Sequence, residues 1–419
     1  MCCSGQPTGS IKLVTGMEEG VFSREPAPRT LVVERLSLEG KAEELARAAL
    51  PVDTVDLGTA TDTDVAIVRV RAEDPAGKVL VAGTSLPVTL GATRSAPLLV
   101  FVQRTGELAR LPSPFALAPR ASQVGILAGR YALTADDTTT ALYDLANLSP
   151  LASPPRLPRA ARSIATFGES ALVLDDAGGA YVFDFTSSQV TEVKAPDGGS
   201  FEEVAGGSRV QASDGTAYLV GATRRTGDAT SRVLRIDPSG TLSFASLTQA
   251  RRGAAALWIE GRGLLVAGGS GGSAGLEILG PGAAQAATLP FPPDPREGGA
   301  AALLDASHAL LVGGLDPAGG PLARAVDLAC TSACAAVAWS APAGLTLPRV
   351  DALGLEGGKG EVLVVGDDGS GATHALRGAA GALTELPLRV PRRGARLLAL
   401  PTGNLGIVGG ATTIESFRP

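Results

Sequence analysis

Short apolar runs closed by glycine or another turn residue recur through most of this chain. Seven stand out: VGILAG ending at Gly129, ALVLD at Asp175, AYLVG at Gly221, LLVAGG at Gly268, ALLVGG at Gly313, VLVVG at Gly366 and LGIVGG at Gly409. The steps between these anchors are 46, 46, 47, 45, 53 and 43 residues. Most runs follow another short apolar segment, as in GAAALWIEG, GAAALLDA, VDALGLEG and ARLLALP. A loop and two further strand-like pieces come after each anchor, so the period predicts four strands per unit.

Inside the third piece a bulky residue often precedes aspartate: Tyr143-Asp144, Phe183-Asp184, Ile236-Asp237 and Val326-Asp327, with Trp339 in a fourth piece. Together with the paired glycines and the LP-to-Arg junctions between units, these features resemble a bacterial kelch-like β-propeller over about residues 97–419. The expectation is an all-β fold with a propeller of seven blades, one per anchor. A glycine ending a strand permits positive φ and close backbone approach, as crowding near a propeller axis requires. The last anchor is followed only by TTIESFRP, whereas PLLVFVQRTGELARL at 97–111 offers strand material ahead of the first. Residues 97–111 are therefore expected to complete the closing blade and remove exposed sheet edges.

Residues 11–95 lack this period. IKLVT, TLVVERLSL, TVDL, VAIVRVRAE, KVLVAG and LPVTL read as strands between Gly, Pro and Asp turns, which predicts a small β-sandwich resembling immunoglobulin or fibronectin-type modules by pattern. EELARAAL at 43–50 reads alternatively as a short helix. Residues 1–10 are expected to form a flexible tether.

Composition refines this picture. Of the 419 residues 45% are apolar but only 4% aromatic, so the core must be built mainly from Ala, Val, Leu and Ile. The formal charge of −6 is spread without blocks of one sign, which argues against a nucleic acid partner. MCCSGQPTGS at the start resembles a mature bacterial lipoprotein, with Cys2 or Cys3 as the lipid-bearing residue and membrane attachment through it; two plain thiols on a frayed tail are the other reading. Cys330 and Cys334 in ACTSAC suit a local disulfide, and hence an oxidising compartment such as the periplasm or cell surface. A zinc site there would need two further ligands, and the chain has only His308 and His374 besides the N-terminal cysteines.

Candidate chemistry is sparse. Galactose-oxidase-like kelch enzymes hold copper with paired His and Tyr ligands, a set that two histidines one repeat apart do not supply. The aspartate pairs Asp136-Asp137, Asp175-Asp176 and Asp367-Asp368 read as turn residues, and DDGSG at 367–371 lacks the full spacing of a calcium loop. GGSGGSAG at 268–275 is followed by no Gly-Lys-Ser/Thr. No cofactor is expected. A non-catalytic extracytoplasmic binding scaffold ranks first, with a carboxylate-based, glycosidase-like enzyme as the alternative. Arg252, Arg296, Arg349 and Arg393 precede the anchors at 268, 313, 366 and 409 by 16, 17, 17 and 16 residues. Repeated spacing implies repeated position: a ring around the channel mouth that could hold carboxylates of a protein or an anionic glycan. Capping of carbonyls between blades is the competing role for the same arginines.

Overall fold

The computed structural model describes residues 9–38, 40–57, 65–269, 275–291, 293–329, 336–355 and 360–419. It is all-β, with nine sheets among the described residues. Seven of these are four-stranded, and within each the strands pair antiparallel in chain order, apart from the last. Their first strands are Gln123–Leu127, Ala161–Phe167, Ser208–Gln211, Ala255–Ile259, Ala300–Leu303, Arg349–Gly354 and Arg396–Ala399. First strands of successive sheets lie side by side, the second and third excepted, and Arg396–Ala399 returns to Gln123–Leu127. Many small sheets arranged in this way form a β-propeller.

Apolar faces of neighbouring sheets meet in shared cores. Ala255, Leu257 and Leu265 of the fourth sheet pack with Ala301, Ala309 and Leu311 of the fifth. The bulky residues before aspartate serve this packing: Tyr143, Phe183, Ile236 and Val326 all lie buried near the ends of third strands. The aspartates that follow close the next turn, Asp144 accepting from the Ala146 and Asn147 N–H groups and Asp237 from those of Ser239 and Thr241.

The turn glycines explain themselves at the contact between sheets. Gly221, Gly268, Gly313 and Gly409 have φ of +70°, +66°, +66° and +83°, which favours glycine. A Cβ on Gly268 would lie 2.9 Å from the Arg296 carbonyl at the entry to the next sheet, and one on Gly409 would lie 2.4 Å from Ala121 Cβ at the entry to the first. These four glycine ends thus abut the entry to the next sheet, Gly409 closing back on the first.

Two assignments from the hydrophobic pattern change. VGILAG is a first strand, and Gly129 sits in the turn leading to the true second strand, Tyr131–Asp136. An apolar run closed by glycine looks the same in either place, and only pairing distinguishes them. EELARAAL is not helical: Ala42–Ala49 is a strand paired antiparallel with Thr30–Leu36, because tertiary pairing outweighs its helix-favouring composition.

The segment 97–111 is divided. Leu108–Arg110 pairs with Glu415–Phe417 as the outermost strand of the seventh sheet. Leu98–Phe101 instead runs parallel to Ser10–Val14, and Gln103–Arg104 pairs with Val79–Thr84. These belong to the two remaining sheets, one of three strands and one of six, which share a core containing Ile11, Leu31, Val68, Val70 and Val100. Gln103 is fully buried at the junction, donating to the Glu107 and Ser416 carbonyls and accepting from Asn404.

Candidate functional site

Chain entry into each first strand and exit from each second strand lie at one end of the sheets, since the strands are antiparallel. The structure places the arginines of the sequence pattern at this end, in unlike environments. Arg296 is only 4% exposed; its Nε donates to Asp294 Oδ1 at 3.1 Å and its Nη1 to the Leu322 and Pro321 carbonyls at 2.9 and 3.1 Å. A side chain so enclosed cannot meet a ligand. Arg252 is half-buried, with its fork on the Glu297 carboxylate and Nη1 on the Gly227 carbonyl. Arg349 and Arg393 are exposed.

The repeated position is sharper than the sequence pattern suggested. Arg251 and Arg392, each one residue before a pattern arginine, are buried and play a common part. Arg251 Nη1 donates to the Gly268 carbonyl at 2.6 Å and its Nε to Glu277 Oε1 at 2.9 Å. Arg392 Nη1 donates to the Gly409 carbonyl at 3.0 Å and its Nε to Glu415 Oε1 at 3.1 Å. Each clamps the second-strand exit to a third-strand glutamate of its own sheet.

Beyond these clamps, the first strands carry an unequal charge. The seven together hold Arg162, Arg209, Arg349 and Arg396 but one acidic residue, Asp351. All four arginines stand in the first two positions of their strands, at the entry end. Arg162 donates to the Thr223 carbonyl. Arg209 reaches across two neighbours, donating to the Val124 carbonyl at 2.8 Å and to Thr166 Oγ1 at 3.2 Å, and also to Gln211 Oε1. Loss of solvent brings its pKa down to about 10. Arg396 is the one of the four paired with a carboxylate, gripping Asp351 through Nε and Nη2 at 2.7 and 2.8 Å, while its Nη1 is buried with no acceptor.

Arg349 makes no hydrogen bond or ion pair among the described residues. Arg349 and Asp351 share one strand face because side chains alternate. Arg396, held on Asp351, therefore lies close to Arg349. Its positive charge is the first cause of a lowered Arg349 pKa, with desolvation second and the charges of Asp351 and Asp367 opposing. Solvent reaches this side chain.

Acidic residues at the same end are engaged. Asp175 takes Arg159 and the Ala177 and Gly179 N–H groups. Asp367 accepts from Thr373 Oγ1 and the Gly394 N–H, and Asp368 from Ser370 and Ala372, so DDGSG is a capped turn. His374 lies between Asp368 and Glu385; burial opposes its protonation, but hydrogen bonds to both carboxylates outweigh burial and raise its pKa. His308 contacts Asp305 at 3.0 Å. Among the described residues no three or more His, Cys, Asp or Glu side chains are grouped to hold a metal. Cys2, Cys3, Cys330 and Cys334 lie outside the described residues.

Sequence reasoning found Arg349 and missed Arg162, Arg209 and Arg396. Arg209 and Arg396 each sit second or first in a short apolar strand, a signal visible once the first strands are known.

The sequence matches no family model and no curated protein. Among solved structures, YCF48 bound to a D1 peptide is similar over 75% of this chain and 94% of its own, at 12% identity and a TM-score of 0.46. A chain of the mitotic checkpoint complex is similar over 75% of this chain and 95% of its own, at 11% identity and a TM-score of 0.47. Similarity at this level carries no argument about ligand or family.

Proposed function

We propose that this chain is a non-catalytic binding scaffold: a seven-bladed, kelch-like β-propeller preceded by a small β-sandwich, with its partner, a protein, at the strand-entry face. Seven four-stranded sheets whose first strands, the second and third excepted, adjoin in order support the blade count. The two N-terminal sheets sharing one core support the sandwich. An extracytoplasmic setting, with lipid at Cys2 or Cys3 and a Cys330–Cys334 disulfide, belongs to the same reading and rests on the sequence alone.

The observation that carries the non-catalytic reading is the state of the carboxylates. Hydrolysis of a glycoside by two carboxyl groups needs one whose pKa is raised so that it can donate a proton. Among the described residues, every carboxyl group with a displaced pKa is displaced downward, including Asp144, Asp294 and Asp368. For Asp144 and Asp294 burial pulls upward but arginine charge and hydrogen bonds outweigh it. Such groups stay ionised and hold turns and ion pairs.

Incubating the protein with a panel of aryl glycosides and polysaccharides is expected to release no product. Hydrolysis that disappears in Asp351→Asn or Asp368→Asn would overturn the reading.

A further inference from the structure

We propose that the strand-entry face binds a monoanionic carboxylate at Arg349, beside Arg396; this rests on the scaffold reading and names the chemistry its face recognises. The chain as a whole is acidic, with a formal charge of −6, yet its seven first strands carry four arginines and one aspartate. That reversal of sign is concentrated at the entry end of the first strands, where like charges add to one local field.

Three observations converge on the sixth and seventh sheets. Arg349 presents a whole guanidinium fork with no acceptor among the described residues. Arg396 has one nitrogen, Nη1, buried and unpartnered, while its other two donors fix it on Asp351. The two cations repel each other, which is the first cause of the lowered Arg349 pKa. An anion bound at the Arg349 fork would relieve that repulsion and supply the acceptors that Arg349 lacks.

Charge selects the class of anion. The charged groups acting on Arg349 are Arg396, Asp351 and Asp367, and Asp351 is already held by Arg396. A singly charged anion disturbs this balance less than a dianion does. Two carboxylate oxygens also match the parallel donors of a guanidinium fork. An acidic side chain of a protein partner and a small free carboxylate share this chemistry.

Calorimetric titration of the full chain at low ionic strength tests the proposal, using three probes: a blocked tetraglutamate peptide, succinate monomethyl ester and inorganic phosphate. Saturable binding of at least one carboxylate probe is expected, tighter than phosphate. Binding of the peptide alone would identify a polypeptide source, and binding of the ester a free metabolite. Arg349→Gln is expected to weaken binding by about tenfold or more, the loss of a charge-assisted hydrogen-bonded pair, with no fall in Tm. Arg349→Lys is expected to restore only part of the affinity, because an ammonium lacks the fork. Unchanged binding in Arg349→Gln, preference for phosphate, or no saturable carboxylate binding would each overturn the proposal. A markedly lower Tm in Arg349→Gln would show a structural role and overturn it as well. None of these outcomes bears on the non-catalytic reading, which the glycoside panel tests separately.

Discussion

Arg251, which ends the last strand of the third sheet just ahead of the fourth, and Arg349 in the sixth occupy the same place in the sequence repeat, each 17 residues before a glycine at the end of an apolar run, Gly268 and Gly366. Their fates are opposite. Arg251 has no exposed surface, and neither has its partner Glu277. Arg349 is exposed and unpartnered among the described residues. The difference begins in the second strand. Gly268 turns the chain at φ +66° and offers its carbonyl to the arginine. Gly366 has no positive φ; it continues a strand that runs to Asp367 and pairs with Val350, while Asp367 pairs with Arg349. With the strand prolonged, no exit carbonyl is presented and no third-strand glutamate lies opposite, so the arginine is left exposed at the strand-entry end. One repeat position therefore serves stability in one sheet and remains available for binding in another.

The largest test of this contrast is to truncate both arginines. Arg251→Ala is expected to lower stability by about 3–5 kcal/mol, because Glu277 would be left buried and uncompensated. Arg349→Gln is expected to leave chemical denaturation unchanged or to shift it slightly upward, since repulsion by Arg396 is removed. Equal losses in the two variants would erase the distinction.

Glycine exchange sharpens the backbone half of the comparison. Gly268→Ala is expected to cost about 1–2 kcal/mol from the left-handed conformation alone, before its approach to the Arg296 carbonyl. Gly369→Ala, in the turn after the prolonged strand, meets nothing within 4 Å and should stay within about 0.5 kcal/mol of the parent in thermal melts.

Acid titration separates the buried arginine sites from the open one. The Asp294 carboxyl, between Arg296 and Arg324, has a lowered pKa in the folded protein. The unfolded chain therefore takes up this proton first, and the stability it contributes is present above the ordinary carboxylate range near about 3.9 and is lost as pH falls through the lowered value. Asp294→Asn should flatten the acid limb of a Tm-against-pH profile, whereas Arg349→Gln should leave that limb in place.

A small, pH-dependent effect is expected at His374. Its raised folded-state pKa means that its contribution is complete below about 6.5 and is lost as pH rises through the raised value. His374→Gln should reduce Tm more at pH about 5.5 than at about 8.5, by under about 1 kcal/mol for a partly solvated group. A larger deficit at the higher pH would contradict the ion pairing with Asp368 and Glu385.

The sequence by itself determined the all-β class, the period of its strands and the places where glycine must turn the chain. Apolar runs of strand length closed by glycine carry that information locally, and the bulky-residue–aspartate pairs mark where a third strand ends and a capped turn begins. Partners across space were decided by the tertiary structure. VGILAG could not declare itself a first or a second strand, and EELARAAL could not declare itself a strand, until neighbouring chains supplied hydrogen bonds. The division of 97–111 between an N-terminal sheet and the seventh four-stranded sheet depended on the same pairing. Arg251 and Arg252 are adjacent in sequence, yet one is sealed inside a sheet and the other reaches Glu297 of the next. A shift of one residue in extended chain reverses the direction of a side chain, so a repeat counted to within one residue finds the recurring arginines but not which of them are buried and which exposed.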